Sequence, residues 1–389
     1  MMDIVELVRR YEPVLRFSRD GKDREENFFP MAATDYVAEA ALFRRGQGPL
    51  KERGQLTAAD LAALNPLEAR ELYLTFAADE VLSQNPSLAN RLAHGGLALF
   101  GVAGEVQPQL VVEDEAGAAF ALADPGLERV EPGVEARGEL DDLDDLEMGD
   151  LAFSQSDELD SLEGTIGAEE SFLISDAMQL PGQIRTKALA RYAPYRDFAA
   201  RPPIYHYRTV FSRGYLVLQY YFFYAYNDWG SAHEGFNDHE GDWEMISLYL
   251  RGDEPLYTAY SAHTGGPEVH AWDDADLEKV DGTHPVVYVG CGSHARYNQP
   301  GTHKMFQYVD ISLGNSAVSI GPQTDVAWGE PLDLGTQLWA LNYSGGWGAM
   351  VRRFGAGFLA AGAQAPLGPP WQFQRWETPV GWAGGRVPF

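Results

Sequence analysis

From residue 205 to 290, apolar and polar positions alternate with a period of two in a series of short runs. Tyr205 to Val210, Tyr215 to Tyr226, Asp242 to Leu250, Leu256 to His263, Glu268 to Trp272 and Pro285 to Gly290 are rich in β-branched and aromatic residues and bounded by Gly, Pro, Asn or Asp, so they predict strands. No helical periodicity separates them. That favours a mainly β domain, an antiparallel β-sandwich, over a parallel α/β sheet. All nine Trp lie at or after Trp229, and a tail carrying Trp347, Trp371, Trp376 and Trp382 is too aromatic to hang free; it is expected to pack on the sheets.

The N-terminal part has a different texture and predicts a partly helical region. Asp3 can cap a helix carrying Ile4, Leu7, Val8 and Tyr11, which Pro13 stops. Further starts lie at Thr34 and at Thr57, where Thr57 and Asp60 form a capping box with the shorter acid. Between the first two, FSRDGKDREENFFP reads as a hairpin loop or surface turn, and SDAMQLPGQIRTKALARYAPY as a helix broken near Pro181. The expected organisation is a mixed helical part at 1–138 that packs on the sandwich, an acidic loop or disordered insertion at 139–170, and the sandwich itself at 171–389. No internal repeat is evident.

Charge narrows the partners. Over 389 residues, 57 acids face 29 bases, a formal net charge of -28, which rules against a nucleic-acid partner and repels an anionic membrane unless a divalent cation bridges the two. The 139–170 segment holds thirteen of the acids with no Lys or Arg, and without it the charge falls to -15. Such a block self-repels and is expected to be solvated, its leucines leaving docking on a partner as an alternative. The N-terminal stretch lacks the apolar run of a signal peptide, and no later run reaches the roughly 18 residues of a membrane span. Peripheral membrane contact stays open. The single cysteine, Cys291, excludes an internal disulfide; a cytoplasmic location is the expectation.

The chemistry concentrates late in the chain. Eight of nine histidines fall between His206 and His303. In NDHEGDWEMISLYL, residues 237–250, strand alternation places Asp242, Glu244, Ile246, Leu248 and Leu250 on one face, with Trp243, Met245, Ser247 and Tyr249 on the other. Two carboxylates at the head of an apolar face require protons, cationic partners or a metal ion. His239 could enter from the loop and Asp228 from the neighbouring strand, a set of one imidazole and three carboxylates that suits a divalent cation, Ca or Mg for its oxygens, Mn or Zn for its imidazole. Equally, Asp242 and Glu244 could pair with Arg296 or Lys304. His263 in SAHTGG and His294 with Arg296 in GCGSHARY end predicted strands, and could bind an anionic or sugar ligand, move protons, or hydrogen-bond a turn. Cys291 reads as a small buried residue. Asp273, Asp274 and Asp276 lack the spacing of a calcium loop and read as a solvated turn. No Walker loop, GxSxG elbow or CxxC pair is present.

QYYFFYAYNDW, NDHEGDWE, AYSAHTGG, HPVVYVGCGSHARY, LNYSGGWG and GPPW, with YEPVLRFSRDGK near the start, together resemble the vacuolar protein sorting-associated protein 62 family. The central segment also resembles the necrosis-inducing toxin family, with its His-x-x-Asp-Trp-Glu signature on a β-sandwich and a following Ser-Ala-His segment. That resemblance implies His239, Asp242 and Glu244 as ligands of a divalent cation used in binding sphingolipid sugar head groups, with Asp228 in poorer register and His263 as the histidine of the second segment. The second histidine of the toxin signature is Gly241 here, and the toxins' disulfides are absent, so toxicity is not implied.

The functional expectation is a divalent-metal-binding sandwich that recognises a glycan, phosphate or lipid head group, with Arg296 as a ligand contact. The alternatives are a metal-dependent hydrolase or lyase using His263 or His294 as general acid or base, and a structural metal with the acidic block as the interaction element.

Overall fold

The computed structural model describes residues 3–20, 24–44, 47–78, 111–113, 119–121, 182–229, 238–262, 267–305, 308–349 and 367–388. The acidic segment 139–170 and His263 lie outside them. The chain is mainly strands, as expected. Eleven strands build two principal open sheets: β1 Val14–Arg16, β2 His206–Ser212, β3 Tyr215–Asn227, β4 His239–Arg251, β5 Glu254–Tyr260, β6 Glu268–Ala271, β7 Lys279–Val280, β8 His284–Val289, β9 Arg296–Tyr297, β10 Ser319–Ile320 and β11 Leu332–Asp333.

The larger sheet runs β6-β5-β4-β3-β2-β11, antiparallel throughout except for the parallel β11–β2 pair. The smaller runs β7-β8-β1-β10, with β9 also on β8; β1 is parallel to β8 and antiparallel to β10. The two sheets share one core, to which Leu15, Val287, Val289 and Ile320 contribute from the smaller sheet, and Tyr220, Phe222, Ile246 and Leu248 from the larger. The strand predictions locate every long strand. Their ends shift: the fourth starts at His239, three residues early, because its pairing with β3 continues as far as Asn227, and the fifth stops at Tyr260.

β3 explains why the larger sheet is stable. All thirteen of its residues are buried, so YLVLQYYFFYAYN packs on both faces, and each large aromatic ring withdrawn from water contributes about 2–3 kcal/mol. Its buried Gln219 amide is satisfied: Nε2 donates to the Arg375 carbonyl at 2.7 Å. The aromatic tail covers this region as expected. Trp347 and Trp376 belong to the core, and the Arg208 guanidinium lies 3.8 Å from the Trp376 ring centroid.

The helical N-terminal region matches the capping signals. Asp3 accepts from Val5 N at 3.1 Å at the head of Ile4–Arg10, and the Thr57–Asp60 box is complete ahead of Ala58–Ala62. The second helix is Ala33–Glu39, starting before Thr34 with Ala32 at its cap position and no side-chain cap. Within the loop expected between the first two helices, Arg19–Asp20 pairs with Arg24–Glu25 as a short hairpin. A helix follows Pro181, spanning Gly182–Tyr192. Among the described residues, no helix is long and apolar enough to cross a membrane.

One residue of β4 leaves the extended backbone. Gly241 has φ of +61°, and a Cβ there would meet the Trp347 carbonyl oxygen at 2.2 Å. That backbone favours glycine, and the approach of Trp347 leaves no room for a Cβ. On either side of it, Glu240 and Asp242 meet different surroundings: Glu240 accepts from the amides of Phe76, Ala77, Ala78 and Ala349, Asp242 from His294 and Asn227.

Candidate functional site

The site sits where β3 ends and β4 begins. Cross-strand partners Tyr224↔Asp242 and Phe222↔Glu244 share the face expected from alternation, with Ile246 and Leu248 further along. The smaller sheet supplies the opposite wall through the turn after β8. There Gly292 and His294 both take positive φ, +76° and +59°, and His294 N bonds back to Gly290 O at 3.0 Å. The tight turn lays the His294 ring flat on Tyr224, with centroids 3.8 Å apart and planes within 5°.

His294 is held by two carboxylates. Its Nδ1 is 2.8 Å from Asp242 Oδ2 and its Nε2 3.3 Å from Glu26 Oε1, all three residues being buried. Burial opposes a charge on the ring, but the Glu26 charge and the hydrogen bonds to both acids outweigh it and raise its pKa to about 9. Burial likewise pushes Glu26 up, yet the His294 charge and the Phe28 and Gly292 amides, which donate to Glu26 at 2.9 and 2.8 Å, bring it below the ordinary carboxylate value. Near neutral pH the three form a buried acid–imidazolium–acid array, with Asp242 Oδ2 also accepting from Asn227 Nδ2 at 3.2 Å.

The remaining expected residues fall around this array. Glu244 is buried and its Oε2 accepts from the Ser261 hydroxyl, which itself accepts from Met245 N at 3.1 Å. Neither Arg296 nor Lys304 pairs with Asp242 or Glu244. His239, 6% exposed, has its pKa lowered, chiefly by burial, so it is neutral, and its Nδ1 has no partner. Asp228 is brought to the same end of the sheet but is engaged by Arg185, whose Nη2 and Nε lie 2.8 and 3.1 Å from Oδ2, and by Asn27 Nδ2 at 3.2 Å. Arg296 is fully buried above Phe222 and Tyr224, donating from Nη2 to the Tyr224 hydroxyl. Among the described residues, no three His, Cys, Asp or Glu side chains converge tightly enough to cage an ion as they stand.

Sequence reasoning missed Glu26, Arg185 and Ser261. Glu26 lies in a segment that reads as a surface turn, and its local signal is only that it precedes Phe28 and Phe29, both buried. Cys291 is buried, as expected, and its carbonyl accepts from Arg24 at 2.8 Å. Asp274 and Asp276 form an exposed turn in which Asp276 N donates to Asp274 at 3.0 Å.

No family model matches the chain and no curated protein matches it, so the resemblance to the vacuolar sorting family finds no support there. Solved structures of necrosis-inducing proteins do align with part of it. Necrosis and Ethylene inducing Protein 2 from the causal agent of cocoa's Witches Broom disease is 19% identical, with a TM-score of 0.21, over 25% of this chain and 46% of that one. NLPPya in complex with glucosamine is 14% identical, TM-score 0.24, over 36% and 56%; the non-toxic HaNLP3 protein is 11% identical, TM-score 0.23, over 36% and 55%. The alignments span about half of each of those proteins. A likeness of that size is local.

Proposed function

We propose that the β3–β4 end is a divalent-cation site that recognises the head group of a glycan, phosphate or lipid, held at the mouth of a sandwich whose layers are the two sheets. The observation that carries this reading is His239: a neutral, buried imidazole whose Nδ1 is unpartnered, on the strand that presents Asp242 and Glu244. A buried nitrogen without a partner costs about 1–3 kcal/mol, and a cation is one group that would remove that cost. Two carboxylates and a neutral imidazole are donors that suit a divalent ion. His239, Asp242 and Glu244 would hold it. The Asp228 carboxylate already has Arg185 and is the weakest member of the set. Bound there, the ion would supply positive charge for hydroxyl or phosphate oxygens.

The protein's own residues do the positioning. Glu26 orients His294, and His294 fixes the rotation of Asp242 through its Nδ1, in the way outer carboxylate–imidazole pairs orient ligands. Since both ring nitrogens of His294 are taken, its geometry favours holding Asp242 over shuttling a proton, which leaves binding as the better-supported activity.

The test is elemental analysis of protein prepared without chelator. The wild type is expected to carry close to one equivalent of Ca, Mg, Mn or Zn, and Asp242→Asn with Glu244→Gln to lose it; ion-free wild type would sink the reading. Retention on glycan and lipid arrays is expected to disappear with EDTA.

A further inference from the structure

Arg296 has no exposed surface, yet its Nε and Nη1 have no hydrogen-bond partner. Its guanidinium carbon lies 4.5 Å from the Phe222 ring centroid and 5.1 Å from that of Tyr224, so two aromatic rings fix the plane of the group. A guanidinium remains charged in any protein environment. Stacking offsets part of the desolvation but leaves the in-plane N–H bonds of those two nitrogens unengaged. The internal acids of this face are committed elsewhere: Glu244, opposite Phe222, accepts from Ser261, and Asp242, opposite Tyr224, accepts from His294 and Asn227.

We propose that Arg296 is the anchor for a phosphate group, whose oxygens accept from Nε and Nη1 while the rest of the ligand lies toward Asp242 and Glu244. This deepens the proposed function and rests on that reading for the ligand's location, though not for the cation. A phosphate presents several acceptor oxygens to a guanidinium, matching more than one unengaged N–H. The protein's charge of -28 repels anions at long range, so capture has to come from a desolvated local cation; Arg296 is one. The Tyr224 hydroxyl, already bonded to Nη2, keeps the guanidinium from rotating.

The experiment compares full-length wild type with Arg296→Met and Arg296→Lys in two arms, each with metal content measured on the same samples. In the first, the melting midpoint is followed as inorganic phosphate replaces chloride at constant ionic strength. In the second, co-sedimentation is measured with phosphatidylcholine vesicles with and without phosphatidic acid. Wild type is expected to gain a few degrees in phosphate, Arg296→Met none, and Arg296→Lys an intermediate shift. A response in the first arm alone supports a free phosphate, and one in the second alone a lipid-borne phosphate. If neither arm separates wild type from the Met variant, or from the Lys variant should Met fail to fold, the proposal is overturned. A phosphate response in ion-free wild type supports Arg296 while removing the cation reading; bound ion without phosphate response does the reverse.

Discussion

The two faces of the β3–β4 ribbon bury the same residue types and treat them in opposite ways. On one face His206 packs edge-on against Trp243, 5.1 Å between centroids, and burial among apolar groups depresses its pKa to about 3. On the other, His294 is equally buried but flanked by Asp242 and Glu26, and sits at about 9. Partners, rather than depth, decide the charge. The carboxylates repeat the lesson. Glu240 is held by backbone amides alone, accepting from Phe76 at 3.1 Å, Ala77, Ala78 at 2.8 Å and Ala349 at 3.1 Å, whereas Asp242, two residues on, is held by side chains. Amides of the main chain cannot leave without moving the loop; side chains can turn aside for a ligand. One carboxylate is therefore fixed by the main chain and the other by side chains.

The sharpest way to break the contrast is at the residue between the two carboxylates. Gly241→Ala is expected to destabilise the fold by about 3 kcal/mol or more, measured as a denaturant midpoint, because the added methyl meets the Trp347 backbone and the left-handed φ is strained. A near-neutral result would show that the Trp347 backbone can give way without disturbing the two carboxylates. Next, Glu240→Gln replaces one acceptor oxygen by a donating NH2 group that must face either the Ala349 amide or the amides of Phe76, Ala77 and Ala78, and is expected to cost about 2–3 kcal/mol while leaving bound metal unchanged. Asp242→Asn, which can still accept from His294, is expected to cost about 1–2 kcal/mol yet abolish metal binding. If the two variants affected stability and ion content alike, the contrast between the two carboxylates would be wrong.

The smallest effect is a pH slope. His206 binds a proton in the unfolded chain near pH 6.5 but resists it in the fold, so its contribution is present above pH 6.5 and lost as pH falls toward 3. Between pH 7 and 5.5 it should remove about 1 kcal/mol of stability, and a His206→Gln variant should lose less over the same window.

Alternation alone was enough to read β3, β4 and the shared face of Asp242, Glu244 and Ile246, because strand periodicity is a local property. The tail's packing was legible for a similar reason: so many tryptophans require cover. Glu26, Arg185 and Ser261 were not, since each meets the site through contacts made far along the chain, or by a turn whose shape no short pattern encodes. Gly241 illustrates the limit within a strand. Trp347, more than a hundred residues later, leaves no room for a Cβ there, and no local pattern announces that approach.

The position of β1 has a consequence for biosynthesis. Val14–Arg16 pairs with Val286–Tyr288 on one side and with Ser319 and Ile320 on the other. At ribosomal rates of about 5–20 residues per second, that N-terminal segment waits tens of seconds for its first partner strand to emerge. During that interval Val14 and Leu15 have no strand to pair with, so the smaller sheet can close only after most of the chain has been made.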